Sequence, residues 1–239
     1  MAEKAIVFID GSWLYKCRGS LFDKLGEENF EIDYAKLPKV ICEDVANALD
    51  EDISLVRTMY FGTIPSSRSG FNTSKQYSFY DFLERSCGYD THIHEIDVGN
   101  EDSRMSGNSW VEVSMATNLV YYAALPAVMD IAIVIGDYDN LSPALRRVRL
   151  LGKRVQLVSI NGANGIPEQT RLGDFPTIYI DEHAADVKLV RERLKRVCKK
   201  CGEEEETTWA GSDFFCSNCR GRYRGVSAAE LNFKPIITA

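Results

Sequence analysis

The chain lacks a hydrophobic run long enough to span a bilayer. Its longest apolar stretch, Leu119 to Met129, is interrupted by Pro126 and falls short of the roughly 20 residues a membrane helix needs. A secretory signal is also missing, because the opening MAEKAIVFID has no basic segment followed by a long apolar one. Positive charge is scarce: 28 Lys and Arg stand against 35 Asp and Glu, for a formal charge of −7. That excludes coating of nucleic acid through bulk charge and leaves room only for a local basic patch. Histidine is rarer still. His92, His94 and His183 form no metal spacing with the cysteines, and nothing sets them at strand ends, so they receive no role. There is no internal repeat and no long low-complexity segment. Together these absences exclude membrane and secreted classes and predict a cytoplasmic protein.

What remains is an ordinary globular mixture, 45% hydrophobic and 26% charged over 239 residues, enough for one sizeable domain and an appendage. Short β-rich runs alternate with longer helical patterns. Strands are expected at Ala5–Ile9, Ile53–Ile64, His92–Val98, Ile131–Ile135, Arg154–Ile160 and Thr177–Ile180. Helices are expected at Asp33–Leu49, Asn72–Cys87, Trp110–Leu125 and Leu141–Leu151, the last closed by Gly152. Pro65–Gly70 and Glu101–Ser109 read as exposed loops. Strands separated by helices predict an α/β fold, a parallel sheet with helices on both faces. Composition changes near residue 190, which divides residues 1–190 from a C-terminal segment, 191–239.

Seven cysteines are unevenly spread. Cys17, Cys42 and Cys87 are scattered and read as ordinary small residues, whereas Cys198, Cys201, Cys216 and Cys219 crowd one region. In a reducing compartment that crowding points to metal rather than to disulfides. Cys-x2-Cys, fourteen intervening residues and a second Cys-x2-Cys match a tetrahedral four-cysteine site for Zn2+. Four thiolates leave no open coordination position, so the zinc is expected to be structural and to supply the folding energy of a segment with few large apolar residues.

Around this knuckle lie a basic run (Lys188, Arg191, Arg193, Lys195, Arg196, Lys199, Lys200), the aromatics Trp209, Phe214, Phe215 and Tyr223, and a second basic group, Arg220, Arg222 and Arg224. Charge with aromatic faces suits single-stranded RNA. Equally, the aromatics pack around the zinc and the basic run is a solvated helix face. The acidic run Glu203–Glu206 opposes RNA locally, and binds either a basic partner or the chain's own lysines. Such ribbons also serve as docking and oligomerisation surfaces.

Ligands in parallel sheets sit beyond the carboxyl ends of the strands, where this chain places Asp10, Asp137 and Asp139. A desolvated carboxylate there needs hydrogen bonds or a cation. Converging carboxylates suit Mg2+ or Mn2+, and the reaction class this favours is metal-assisted phosphodiester hydrolysis. The alternative is that Asp10 and Asp137 cap the loops after their strands and that Asp139 caps the helix from Leu141. Ser12 and Asn140 orient substrate or water, or serve the turns. Arg146, Arg147 and Arg149, with Lys153 and Arg154, point outward, either as solvated charge or to guide a phosphate backbone.

Ile6-Val-Phe-Ile-Asp-Gly-Ser-Trp-Leu-Tyr15 resembles the opening strand and turn of NYN domains, the LabA-like branch of the PIN-like nuclease superfamily. Val134-Ile-Gly-Asp-Tyr-Asp-Asn-Leu-Ser-Pro, running on to Leu151-Gly-Lys-Arg-Val155, is similar to that family's second signature. The likeness runs over about residues 4 to 182. It implies a PIN-like three-layer fold and a divalent-metal-dependent ribonuclease, with residues 1–190 as catalytic domain and 191–239 as basic linker, zinc ribbon and tail. The family's middle motif corresponds to Ser109-Trp-Val-Glu112 through Asn118, where Glu112 replaces an aspartate and Asn118 a second one; Trp13 stands where the family has asparagine. The implied site is Asp10, Glu112 and Asp137, assisted by Asp139, with Asn118 offering a neutral oxygen to the Mg2+ or Mn2+. Six residues turn a helix by about 240°, so Glu112 and Asn118 share one site only if Glu112 lies at the helix start. RNA is the expected partner, together with a homo-oligomer or protein activator that gates a toxin or antiviral-defence effector. A catalytically silent RNA- or protein-binding module and a zinc-dependent scaffold are the other expectations, motivated by Trp13 and Asn118.

Overall fold

The computed structural model describes residues 2–25, 30–66, 70–97, 101–162, 172–191, 193–209 and 213–221. The chain runs β1 (Glu3–Asp10), α1 (Gly11–Leu25), α2 (Leu37–Leu49), β2 (Ile53–Pro65), α3 (Ser74–Arg85), β3 (Asp90–Ile96), α4 (Glu101–Ala124), β4 (Ile131–Ile135), α5 (Ser142–Leu150), β5 (Arg154–Ser159), β6 (Ile178–Tyr179) and α6 (Ala184–Val187). Two short strands and a helical turn follow: β7 (Leu194–Val197), β8 (Glu204–Thr207) and α7 (Ser217–Gly221). It divides into two compact units, Met1–Leu189 and Val190–Ala239.

In the first unit, β1 to β6 form one parallel sheet in the order β3-β2-β1-β4-β5-β6. A parallel strand covered on both faces needs apolar residues at every position, and β1 and β4 supply them. Strand side chains alternate between faces. Ala5, Val7 and Ile9 pack with Ile131, Ile133 and Ile135 under Leu14 and Leu21 of α1, Ile41 and Val45 of α2 and Leu83 of α3. Ile6 and Phe8 pack on the opposite face under Val111, Met115 and Leu119 of α4 and Leu145 and Val148 of α5. Each such side chain removed from water contributes about 1.5–3 kcal/mol. From β1 the order runs outward one way through β2 and β3, and the other way through β4, β5 and β6. The reversal lies between β1 and β4.

Several expectations are corrected. The residues after Asp10 form α1 rather than only a turn, because Trp13, Leu14, Cys17 and Leu21 recur at helical spacing and three of them are buried. Glu101–Ser109 is helical backbone, not loop: α4 begins at Glu101 and carries Gly107 inside it. One interior glycine costs a helix only about 1 kcal/mol, which the packed stripe further along offsets. The basic run is not a helix face. Part of it is β7, antiparallel to β8, with Lys195 opposite Glu206 and Arg196 opposite Glu205. Opposed unlike charges contribute about 0.2–1 kcal/mol per pair, so the acidic run faces the chain's own basic residues. Arg222, Tyr223 and Arg224, and residues 67–69 of the expected loop, lie outside the described residues. Among those described, no helix is long and apolar enough to cross a membrane.

Gly11 fixes the junction of β1 and α1. A Cβ there would lie 2.0 Å from Cζ of the buried Tyr60 ring, so the helix passes over that ring only because the side chain is absent. Gly11→Ala is expected to destabilise the protein by about 1–3 kcal/mol in urea unfolding. Gly19→Ala, where an added Cβ meets nothing within 4 Å, should instead stabilise α1 by up to about 1 kcal/mol. Equal effects of the two substitutions would refute the packing argument.

Candidate functional site

The strand order places a crevice beyond the carboxyl ends of β1 and β4, where neighbouring crossovers leave the sheet in opposite directions. Asp10 is the last residue of β1 and is 7% exposed. Gly136 follows β4, and a Cβ on it would come 2.8 Å from Cβ of Asp10, so only glycine lets the next turn pass so close. That turn is pinned by Tyr138, which is fully buried and donates its hydroxyl hydrogen to the Val158 carbonyl of β5. With Tyr138 turned inward, its neighbours are left outward: Asp137 half-buried and Asp139 exposed.

Asp137 Oδ1 accepts the Asp139 N–H at 3.2 Å. Asn140 donates through Nδ2 to Glu112 Oε1 at 2.9 Å, tying α4 to the same turn. Asp10 Oδ1 accepts the Trp13 N–H at 2.8 Å. One oxygen of each of these three carboxylates is therefore oriented by a protein donor. Asp10 is held by a backbone group that any residue except proline supplies, while the Trp13 side chain lies in the core. The tryptophan thus takes nothing from Asp10's support.

Burial pushes the Asp10 carboxyl up to about 6 from its ordinary 3.8. The N–H groups of Trp13 and Ser12 and the charge of Lys16 offset part of that rise, and the charge of Glu112 adds to it. Cys17 is half-buried beside the same group: burial raises its thiol, and the charges of Asp137 and Asp10 raise it further. Sequence reasoning missed Lys16 and Cys17 as neighbours of the acids, and Tyr138 as their anchor. The helical spacing of Trp13, Leu14, Cys17 and Leu21 was the available signal for the first two.

Asn118 is not brought to this place. Glu112 sits in the middle of α4 rather than at its start. Asn118 is therefore about 9 Å further along and about 120° round the helix, across the buried stripe of Val111, Met115 and Leu119, and donates to the Ser114 carbonyl of its own helix at 2.9 Å. Asp139 does not cap α5, whose N-cap is Leu141 without a side-chain bond. Of the outward cations, Arg149 is paired with Asp174 at 2.8 Å, Lys153 with Asp130 at 3.8 Å and Arg154 with Glu3 at 2.6 Å. Arg146 and Arg147 are exposed and make no ion pair among the described residues.

In the second unit, the sulfurs of Cys198, Cys201, Cys216 and Cys219 lie within 4.8 Å of one another, and those of Cys201 and Cys216 are 3.6 Å apart. Thiolates about 2.3 Å from a tetrahedral zinc stand about 3.8 Å apart, so the four form a possible zinc site. Among the described residues the acids of the first unit show no such close group. Gly202, at φ +76°, turns the chain back so that its N–H reaches the Cys198 carbonyl at 2.9 Å. On the other side, α7 starts after Cys216 and returns Cys219 within a turn. Burial opposes ionisation of Cys198, yet the backbone N–H groups of Cys216, Cys201 and Lys200 hold its thiol down to about 6. Cys219 is pushed up to about 12 by burial and by the other thiols. Of the aromatics, Trp209 and Phe214 pack into this small core, and Phe215 is partly exposed.

The NYN domain family model matches residues 4–172. No curated protein and no solved structure matches the chain.

The raised carboxyl of Asp10 sets a pH dependence. Its contribution to stability is fully present below about pH 3.8, where the group is protonated folded or unfolded, and is lost as pH rises through about 6. Asp10→Asn is therefore expected to be more stable than the parent near pH 7, by about 2–3 kcal/mol, with the gap narrowing toward about pH 4. Denaturant midpoints across that range check this, and an Asn variant destabilised near pH 7 would contradict it.

Proposed function

The chain belongs to the NYN domain family, part of the PIN-like nuclease superfamily, and on that premise we propose that it is a divalent-metal-dependent endoribonuclease. The observation that carries the reading is that Asp10, Glu112 and Asp137 border one crevice, at the point of the described sheet where the strand order reverses. Three carboxylates repel a phosphodiester, and Asp10 is nearly dry; hard oxygen donors in that situation fit Mg2+ or Mn2+. Asp10, Glu112 and Asp137 would hold the ion, Asp139 lies at the rim, and Asn118 stays with its helix. When bound, the ion supplies positive charge to the phosphoryl oxygens and acidity to water. The chain's own part is to fix those carboxylates, through the Trp13 and Asp139 N–H groups and the Asn140 amide. The gradient from buried Asp10 through half-buried Asp137 to exposed Asp139 opens the site to solvent on the side from which RNA arrives.

Cys198, Cys201, Cys216 and Cys219 hold a structural Zn2+ in the same reading, and residues 191–239 serve to bind RNA or a regulator. We place the protein in the cytoplasm, with its activity gated by assembly or by a protein activator, because a free ribonuclease damages its own cell. Toxin and antiviral-defence effectors have this character. A gel-filtration profile with no oligomer, together with activity that needs no activator, would remove the gating. The separation of Asn118 from the acids favours one second reading, a silent RNA-binding module.

The test is cleavage of mixed structured and single-stranded RNAs with Mg2+ or Mn2+. Wild type is expected to cleave, and Asp137→Asn, at matched zinc content, to lose at least about 100-fold. RNA binding that persists in excess EDTA, with no cleavage by either protein, would replace the enzyme with the binding module. Elemental analysis should find one zinc per chain in the wild type and none after Cys201→Ser with Cys216→Ser. Unchanged zinc in that double variant would remove the metal from the cysteines.

A further inference from the structure

Helix α1 begins at the residue after Asp10, and its Trp13 N–H bonds Asp10 Oδ1 at 2.8 Å, so the start of that helix borders the acidic site. With about 100° per residue, the side that buries Trp13, Leu14 and Leu21 is opposite the side that carries Tyr15, Lys16 and Gly19. Tyr15 is 62% exposed. The guanidinium carbon of Arg18 lies 3.9 Å from its ring centroid, a cation–π contact that covers one face of the ring and stiffens it. Gly19 is one helical turn beyond Tyr15. On a helix the side chain at that position leans back over the residue four before it, so the missing side chain leaves the ring uncovered from that direction. An added Cβ at Gly19 would meet nothing within 4 Å. A helix-interior glycine disfavours the helix relative to alanine, and nothing in its own packing requires it.

We infer that Tyr15, backed by Arg18 and left open by Gly19, is a stacking platform for an unpaired base of single-stranded RNA beside the acidic site. A flat ring with one free face takes any base, because every base has a π-face. A net charge of −7 gives the protein no general attraction for RNA, so local stacking and nearby cations must supply the affinity. Tyr15 is about 6 Å of axial rise from Gly11, the residue after Asp10, so the seated base belongs at the end of α1 nearest the phosphate under attack. The inference rests on the ribonuclease reading for its location, but RNA binding is measured without cleavage.

The experiment uses the full chain in an Asp137→Asn background, with a fluorescent single-stranded RNA, its duplex form, and a 2-aminopurine version of the single strand. Tyr15→Ala is expected to weaken single-strand binding by about 5- to 150-fold, the cost of removing one stacking aromatic, and to abolish the quenching of 2-aminopurine. Tyr15→Phe should bind within about twofold of the parent, because the ring face is kept. Gly19→Leu, which fills the space beside the ring while favouring the helix, should weaken binding as Tyr15→Ala does. Thermal midpoints of the variants exclude unfolding as the cause. Single-strand binding unchanged in both Tyr15→Ala and Gly19→Leu overturns the platform, as does an equal loss for duplex RNA, which would mean charge rather than stacking. No RNA affinity in any form overturns it as well and assigns the exposed ring to a protein partner. Binding and quenching that follow the ring, in a protein whose wild type never cleaves, would keep the platform and remove only the nuclease.

Discussion

A carboxylate that cannot reach bulk water governs this molecule. Asp10 ends a strand paired on both sides, its Cβ lies against the backbone of Gly136, and little of it meets solvent. Leaving such a group ionised costs several kcal/mol unless hydrogen bonds or a cation compensate. The backbone N–H groups at the start of α1 compensate only in part, since the carboxyl still rises to about 6. The fold thus carries a local cost at neutral pH at the one point where its topology makes a crevice. A carboxyl that favours its protonated form is the consequence.

The same few residues that close the fold also aim the acids. Gly11 lets α1 clear the Tyr60 ring, Gly136 lets the following turn clear Asp10, and Tyr138 fastens that turn to β5. Asn140 then reaches across to Glu112 and draws α4 into register with the sheet edge. None of these residues is a metal donor in the reading offered here, yet each sets the backbone or a hydrogen bond beside a carboxylate. A group of carboxylates supported in this way is held by packing and backbone rather than by long, mobile side chains.

The second unit solves a different problem. Its described core is Cys198, Phe214 and Cys216, with Trp209 and Cys219 against it, far too little apolar surface to hold a fold alone. A metal held by the four clustered sulfurs would take the place of the missing core. Its two strands set basic residues opposite acidic ones, which accounts for a sequence that otherwise looks like a clash of charge runs.

Much was legible in the sequence, and the reason is locality. Ala5–Ile9 and Ile131–Ile135 announce buried parallel strands because both faces of such a strand must be apolar. The cysteine spacings announce a metal site because ligands on tight turns are close in sequence as well as in space. That Asp10, Asp137 and Asp139 stand at strand ends was legible because a strand end can be read from the end of an apolar run. Helix α1 was not read, since Gly11 and Gly19 disguise it and its support is the sheet beneath. The start of α4 was hidden by a polar, glycine-containing stretch, and β7 and β8 by charges that satisfy one another only across the pair. The sequence by itself determined the layers, the four sulfurs and which carboxylates follow strands, because each depends on residues within a few positions of one another. Tertiary structure alone decided that Glu112 joins Asp10 while Asn118 does not, that a tyrosine anchors the turn between two aspartates, and how far Asp10 is dried. Those outcomes depend on helix phase and on contacts between residues from twenty to more than a hundred positions apart, which no local pattern encodes.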